Sequence, residues 1–319
     1  MYIGIITPAP SGSRYGNRVT AVRWAKILRQ LGHRVAIRES YLQERFDLIV
    51  ALHARRSLDS IQHFHSKHPE KPIIVALTGT DLYQDLSRSR DAQRALDIAT
   101  RLVVLQSRAL DELRPDWHEK ARVLHQSVSP LNSDHPHRSS RSFDVCVVGH
   151  LRPVKDPFRT AKAARLLPAA SRIRVIHLGS AMNPREEEAA RREMISNRRY
   201  RWLGEVSQAR VRRVMARSRL FVLSSRVEGG ANVLGEAIVT GAAVLASRIP
   251  GTIGILGEDY PGYFEVGDTE HLASLMRRCE TDSVFLAELK RQCDSVADLF
   301  DPAREQAAWA DLLTSCSFY

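Results

Sequence analysis

The segment LFVLSSRVEGGANVLGE, residues 220–236, contains the sequence pattern that most clearly indicates the fold. Its apolar start, Leu220–Ser224, predicts a buried strand. Gly229 and Gly230 then predict a turn, and Asn232–Thr240 follows as a helix. A strand, a tight turn and a helix in this order are typical of a parallel α/β sheet.

The same alternation of short apolar runs and helix-length segments continues in both directions along the 319-residue chain. The other runs that predict strands are Tyr2–Thr7, His33–Ile37, Phe46–Leu52, Ile73–Leu77, Leu102–Leu105, Phe143–Val148, Ile173–Leu178 and Ala243–Ala246. The other predicted helices are Val19–Leu31, Pro157–Leu167, Pro184–Ser196 and Ser207–Arg217, with a largely helical tail over Thr269–Leu313. This rhythm favours parallel, doubly wound sheets.

A polar, turn-rich segment, 128–142, interrupts the rhythm and is interpreted as a linker. We therefore predict an α/β fold with two Rossmann-like, doubly wound domains, 1–127 and 143–302. A domain of roughly 100–200 residues is typical, so the length also suggests two. Open α/β sheets bind ligands beyond the carboxyl ends of their strands, so two facing domains would enclose a deep cleft.

The charge of the chain favours small anionic ligands over nucleic acid. Lys and Arg number 47 against 36 Asp and Glu, and 40 of the 47 are arginines dispersed along the sequence. A surface for single-stranded nucleic acid would need basic residues interleaved with aromatic ones, and aromatic residues are only 7% of the chain. We therefore expect nucleotide- or phosphate-bearing small molecules as ligands, and no nucleic acid.

The four cysteines, Cys146, Cys279, Cys293 and Cys316, form no CxxC pair and have no zinc spacing. We read them as reduced thiols and predict no metal site. No apolar run reaches the ~18–20 residues that span a bilayer, and the N-terminus lacks the basic start of a secretory signal. The sequence therefore predicts a cytoplasmic protein with no membrane partner.

Two glutamates, Glu228 and Glu236, flank the glycine turn of the opening segment. Glu228 precedes the predicted helix, and Glu236 lies about one turn into it. The backbone N–H groups between them, at the helix N-terminus, can bind an anion. Acceptors on both sides of an anion site match a ligand with hydroxyls, then phosphate, then more hydroxyls, as in a sugar nucleotide. A capped amphipathic helix with incidental glutamates is the alternative.

Arg152 and Lys155 follow the first predicted strand of the second domain on a short loop. An arginine can donate two parallel hydrogen bonds to phosphate oxygens, and a lysine adds a compact positive charge, so the pair suits a diphosphate. The alternative is that both are surface charges that precede a helix. In the first domain, the small residues of the loop Pro8–Arg18 lie between a strand and a helix. These residues are equally compatible with a ligand site and with an ordinary loop that connects a strand to a helix.

On these residues the chain resembles the nucleotide-sugar glycosyltransferases of family four, which have the GT-B fold of two facing Rossmann-like domains. The family's Glu-x7-Glu pattern matches Glu228 and Glu236, and its basic pair matches Arg152 and Lys155. The resemblance implies that Glu228 contacts the donor hexose and acts in catalysis, and that Glu236 contacts the ribose. It implies backbone contacts to hexose and phosphate from Gly229, Gly230, Ala231, Asn232 and Val233. A C-terminal helix, 303–319, would pack back on the first domain.

A narrower resemblance is to the selenosugar synthases of selenoneine biosynthesis. The segments that carry it are PAPSGSRYGNRVTAVRWA at 8–25, LHARRS at 52–57 and LTGTDLY at 77–83. It implies joining of selenophosphate to the anomeric carbon of a UDP-sugar (UDP-N-acetylglucosamine or UDP-glucose), with release of UDP and phosphate. It also implies functional coupling to a selenophosphate synthetase. The alternative is transfer of a hexose to an alcohol or lipid acceptor.

The sequence departs from the wider family before Gly79. Many members have a histidine there, and this chain has Thr78, which is a poor base. Selenophosphate is already an anionic nucleophile and needs no base, so the departure fits the narrower resemblance. Asp81, the second predicted catalytic residue, or His53 could still serve an alcohol.

An acceptor pocket for selenophosphate is predicted at the carboxyl ends of the first domain's strands. Its predicted residues are Gly12, Gly16, Asn17, Arg18, Arg55, Thr78, Gly79 and Thr80. For Arg55, a surface charge at a helix start is the alternative. No obligatory metal is predicted, because there is no Asp-x-Asp motif and cations are already available for the diphosphate.

Overall fold

The computed structural model describes residues 1–13, 15–130 and 139–316. Contacts divide the chain into two units. The first contains Met1–Ser127, Glu228–Gly230 and the described chain from Asp301 onward, and the second contains Val128–Val227 and Ala231–Phe300. Part of the predicted linker, 131–138, and the last residues of the predicted C-terminal helix, 317–319, lie outside the described residues, as does Arg14.

The first unit contains a six-stranded parallel sheet in the order β2-β1-β3-β4-β5-β6. Its strands are β1 Tyr2–Ile6, β2 Arg34–Arg38, β3 Leu48–Leu52, β4 Ile73–Ala76, β5 Arg101–Val104 and β6 Ala121–Val123. The helices that connect them are α1 Gly16–Gln30, α2 Leu58–Lys67, α3 Arg90–Ile98 and α4 Pro115–His118.

Strand β3 shows why this sheet is covered on both faces. Its side chains alternate between two separate cores: Leu48 and Val50 belong to one, and Ile49 and Ala51 to the other. All five of its residues are buried, as expected for a central parallel strand. The continuous apolar run that predicted a strand here is therefore a consequence of helices on both faces.

The second unit repeats this plan with a parallel sheet in the order β12-β11-β10-β7-β8-β9. Its strands are β7 Phe143–Val148, β8 Ile173–Leu178, β9 Tyr200–Trp202, β10 Leu220–Leu223, β11 Ala243–Ser247 and β12 Tyr263–Phe264. Its helices are α5 Arg159–Arg165, α6 Pro184–Ser196, α7 Gln208–Arg217, α8 Asn232–Val239, α9 Pro250–Leu256, α10 Thr269–Thr281 and α11 Ser283–Ser295. The parallel, doubly wound α/β prediction is confirmed.

The last helix, α12 Pro302–Cys316, belongs to the first unit. There the rings of Trp309 and Trp24 meet edge to face, with centroids 5.0 Å apart. A buried carboxylate, Glu305, accepts hydrogen bonds from Trp24 Nε1 at 2.8 Å and from Ser127 N at 2.7 Å. The helix is thus attached to α1 and to the last residue before the second unit.

The four cysteines are buried and free. Burial raises the pKa of Cys279 to about 12 and that of Cys293 to about 11, so these thiols remain protonated at neutral pH. In the described part of the chain, no cluster of three or more His, Cys, Asp or Glu is arranged to hold a metal ion. Among the same residues, no helix has both the length and the apolar character needed to cross a membrane.

Candidate functional site

The loop between β10 and α8 changes direction through a strained residue. Ala231, which precedes the helix, has φ +41°, and as an alanine it has no side chain that could cap the start of α8. Two other described non-glycine residues have positive φ: His53, directly after β3, and Asp156, in the loop after β7. Unusual backbone conformations of this kind concentrate at functional sites. All three lie beyond the carboxyl ends of strands, where an α/β sheet binds ligands.

Glu228 and Glu236 are both largely buried, each with 8% of its surface exposed. Gln208 Nε2, at the start of α7, donates a hydrogen bond of 2.7 Å to Glu236 Oε1. This bond fixes the Glu236 side chain from outside its own helix. Gln208 has no role in the sequence prediction, because it lies 28 positions from Glu236 and belongs to no motif.

The loop with the basic pair is joined directly to the loop after β10. Arg226 N donates to Val154 O at 2.8 Å, and Ser224 Oγ donates to Asp156 O at 3.1 Å. These bonds follow from the sheet order, in which β7 and β10 are neighbours. The structure therefore brings Arg152 and Lys155 to the same sheet edge as the segment that leads to Glu228.

Two further polar residues lie on these loops, outside the predicted set. His150 Nδ1 accepts a hydrogen bond of 3.2 Å from Ser180 N, so a neutral His150 carries its proton on Nε2. Arg226 is 54% exposed and lies 3.9 Å from the Asp156 carboxylate. A histidine donor and a third cation thus accompany Arg152 and Lys155 at this edge.

In the first unit, the turn after β4 is organised by Asp81. Its Oδ1 accepts from Thr78 N at 2.9 Å and Gly79 N at 2.8 Å, and its Oδ2 accepts from Ala54 N at 3.1 Å. Asp81 is completely buried. Its carboxylate is occupied in joining the turn after β4 to the turn after β3. We therefore propose a positioning role for Asp81 in place of the catalytic role suggested by the sequence.

His53 and Arg55 both contact the segment 80–85, which follows β4. His53 Nε2 lies 3.4 Å from Thr80 Oγ1 and 3.9 Å from an Asp85 oxygen, while Arg55 Nε pairs with Asp85 at 3.2 Å. Burial lowers the pKa of His53, so its ring is neutral at physiological pH. Arg55 and the Thr78–Thr80 turn are thus close together, as the acceptor prediction requires, but Asp85 partly neutralises Arg55.

The predicted anion loop at the start of the chain has its own contacts. Gly12 has φ +76°, and Gly16 and Asn17 open helix α1, whose N-cap residue, Tyr15, makes no capping side-chain hydrogen bond within the described chain. Arg18 Nη2 lies 3.4 Å from Ser11 Oγ, and Ser11 N donates to Glu39 Oε1 at 2.8 Å. Among its described residues, the loop therefore presents Arg18 and the start of α1 beyond the carboxyl end of β1.

Gly229 and Gly230 lie in the first unit, against the turns after β4 and β5. A Cβ added to Gly229 would lie 2.3 Å from Thr78 O and 2.8 Å from Gly79 N. A Cβ on Gly230 would lie 2.6 Å from Leu105 Cβ. Both positions thus require glycine because their backbone packs directly on the predicted acceptor turn and its neighbour. The pair follows Glu228, so this contact also fixes where Glu228 is held.

The family model described as "Glycosyl transferases group 1" matches residues 132–297, more than half of the chain. No curated protein matches the sequence significantly.

Solved structures show the same fold over nearly the whole chain. HepE from Anabaena, solved in complex with UDP-glucose, has a TM-score of 0.75 at 17% identity, covering 99% of this chain and 100% of that one. Sucrose-phosphate synthase from Thermosynechococcus elongatus has a TM-score of 0.74 at 15% identity, covering 98% of each chain. The predicted GT-B architecture is confirmed.

Proposed function

The chain belongs to the group 1 glycosyl transferases, and on this basis we propose that it transfers a hexose from a UDP-sugar to selenophosphate. The products are a seleno-sugar, UDP and phosphate. The observation that carries the donor half of this proposal is the joined pair of loops after β7 and β10, because it places Arg152 and Lys155 beside the segment that leads to Glu228.

The chemistry of these loops supports a UDP-sugar as the donor. Two cations suit a diphosphate, and backbone N–H groups at the start of α8 suit its phosphate oxygens. A carboxylate held by Gln208 suits the hydroxyls of a ribose. The fold neighbour HepE was solved with UDP-glucose, and a UDP-sugar with glucose or N-acetylglucosamine is the donor we propose here. Glu228 would then contact the hexose.

Selenophosphate as the acceptor is supported by the segments that resemble selenosugar synthases and by the residues around Thr78. An anionic acceptor suits Arg18, the start of α1 and the partly neutralised Arg55. Thr78 replaces a base that an alcohol acceptor would use, and selenophosphate does not require one. A selenophosphate synthetase is the enzyme we expect to supply this substrate.

In the proposed reaction, selenium forms a bond to the anomeric carbon as the bond from that carbon to the UDP oxygen breaks. The electron pair leaves with UDP, where Arg152 and Lys155 stabilise the added negative charge. Water then cleaves the phosphorus–selenium bond, which releases phosphate and leaves the seleno-sugar with its selenium bound to carbon.

The direct test is mass spectrometry of the products formed from UDP-glucose or UDP-N-acetylglucosamine with selenophosphate. We expect a hexose–selenium product together with UDP. Transfer to an alcohol but not to selenophosphate would contradict the proposed acceptor and leave the sugar donor intact. The absence of UDP release with any acceptor would contradict the donor as well.

We predict that Arg152→Ala and Lys155→Ala each weaken UDP binding. A charge-assisted hydrogen bond contributes about 1.5–3 kcal/mol, so each variant should lose about tenfold or more in affinity. Isothermal titration calorimetry on the folded variants measures the change. Arg192→Ala is the control, because Arg192 pairs with Glu188 on the exposed face of α6 and should leave UDP affinity unchanged. Wild-type affinity in both site variants would contradict the diphosphate assignment.

A further inference from the structure

A surface cavity of about 500 Å³ lies in the second unit, at the sheet edge opposite the donor loops. Three segments that directly precede neighbouring strands line it: 139–142 before β7, 171–172 before β8 and 198–199 before β9. The donor loops follow the carboxyl ends of β7 and β10. Because the strands are parallel, the cavity and the donor loops occupy opposite edges of one sheet.

Among the described residues, the lining of this cavity is rich in hydrogen-bond donors and includes no carboxylate. The Glu280 carboxylate accepts hydrogen bonds from two lining residues, at 2.7 Å from Ser171 Oγ and at 2.6 Å from Arg172 N. It consists of five arginines, three serines and one apolar residue: Arg141, Arg172, Arg174, Arg198, Arg199, Ser139, Ser142, Ser171 and Ile173. Its volume falls in the range typical of small-molecule sites. We call it the arginine cavity.

The arginines of this cavity are only partly neutralised. Arg174 pairs with Asp144 at 2.9 Å, and Arg172 lies 4.0 Å from Glu280. Arg141 and Arg198 are exposed and have no acidic partner among the described residues. Arg199 Nη2 donates to Pro168 O at 2.6 Å, while its buried Nε has no partner within the described chain. The cavity therefore holds a net excess of positive charge and unused donors.

The first unit provides a contrast at the equivalent edge of its own sheet. A cavity of about 640 Å³ there is lined by both signs of charge, including Glu70, Asp116 and Glu119. Its cations bond to backbone carbonyls: Lys71 Nζ donates to Phe46 O, and Lys120 Nζ to Leu96 O, each at 2.7 Å. A cavity at this edge is thus not positive by necessity. The arginine cavity differs in that no acidic residue is among its lining residues within the described chain.

We propose that the arginine cavity is a second binding site, separate from the donor site, for a small molecule that carries two or more phosphate groups. Guanidinium groups bind phosphate oxygens through two parallel N–H donors, and the hydroxyls of Ser139 and Ser142 can add single hydrogen bonds. The Ser171 hydroxyl already donates to Glu280. A multivalent anion matches several unpaired arginines better than a single carboxylate does. The segments that line the site, before β7, β8 and β9, belong to the same sheet as the donor loops.

Inorganic pyrophosphate is the probe, titrated calorimetrically in the presence of saturating UDP so that the donor site is already occupied. We expect the wild-type protein to bind it under these conditions. Arg141→Ser/Arg198→Ser should weaken this binding by about tenfold or more, because it removes two charged donors. The affinity for UDP should remain unchanged.

The matched control is Arg191→Ser/Arg192→Ser, which removes two exposed arginines from α6, where they pair with Glu187 and Glu188. It should change pyrophosphate affinity by less than about twofold, since surface pairs contribute little. Equal weakening in both double variants would show a diffuse charge effect and overturn the proposal. The proposal would also be overturned if the UDP-saturated wild-type protein binds no pyrophosphate. Binding of a single-stranded oligonucleotide to the same face would not change that conclusion.

Discussion

Gly229→Ala is expected to lower sugar transfer by about hundredfold or more while the protein remains folded. The added methyl carbon would lie 2.3 Å from Thr78 O and 2.8 Å from Gly79 N. Both are backbone atoms, so no side-chain rotation can relieve the overlap. The loop must move, and Glu228 moves with it. A displacement of about 1 Å in a positioned group costs on the order of hundredfold in rate.

Initial rates with saturating donor and acceptor measure this effect, and circular dichroism verifies the fold. Gly32→Asn is the control, because no described atom lies within 4 Å of a Cβ added to Gly32, which has a positive φ of +87°. Asparagine tolerates this left-handed conformation, so the control should retain nearly full activity. Activity of Gly229→Ala within tenfold of wild type would show that the loop does not need its contact with Thr78.

Glu305→Ala should destabilise the protein by about 3–5 kcal/mol. The Glu305 side chain is 2% exposed, and its oxygens accept from Trp24 Nε1, Ser127 N and Ser127 Oγ. Alanine leaves these buried donors unpaired, at about 1–3 kcal/mol each, and creates a cavity beside Trp24. Helix α12 then loses its bonds to α1 and to Ser127.

Urea unfolding, followed by the fluorescence of buried tryptophans such as Trp24, measures this loss. Glu188→Ala is the matched control: that glutamate is 65% exposed and pairs with Arg192 on the surface, so its removal should cost less than about 1 kcal/mol. A loss below about 1 kcal/mol in Glu305→Ala would mean that water replaces the carboxylate at these donors.

Much of the fold was predictable because local patterns report buried faces. The apolar runs of β3, β7 and β8 and the helical spacing of α6 lie where the sequence predicts them, apart from small shifts at their ends. Three short strands, β6, β9 and β12, were not predicted. They have two or three residues each, too few for a period to appear, and pairing with a longer neighbour forms them.

Local sequence patterns were enough to predict the two parallel α/β sheets, the glycine turn between Glu228 and Glu236, and the basic loop after β7. These features depend on residues that are adjacent in the chain. Which polar side chains are buried, and which residues they bond to, is seen only in the folded structure. Asp81, for example, is completely buried, and its carboxylate accepts from Thr78 N and Ala54 N.

Other contacts lie still further apart in sequence. Gln208 holds Glu236 from another helix, and Gly229 packs on Thr78 across 151 positions of the chain. The five arginines of the arginine cavity lie before or at the start of three neighbouring strands, in parts of the sequence that form no common motif. Periodicity records which face of an element is buried, but not which element covers it. Which element covers a given face depends on the order of strands in the sheet. That order therefore determines which side chains come together at the site.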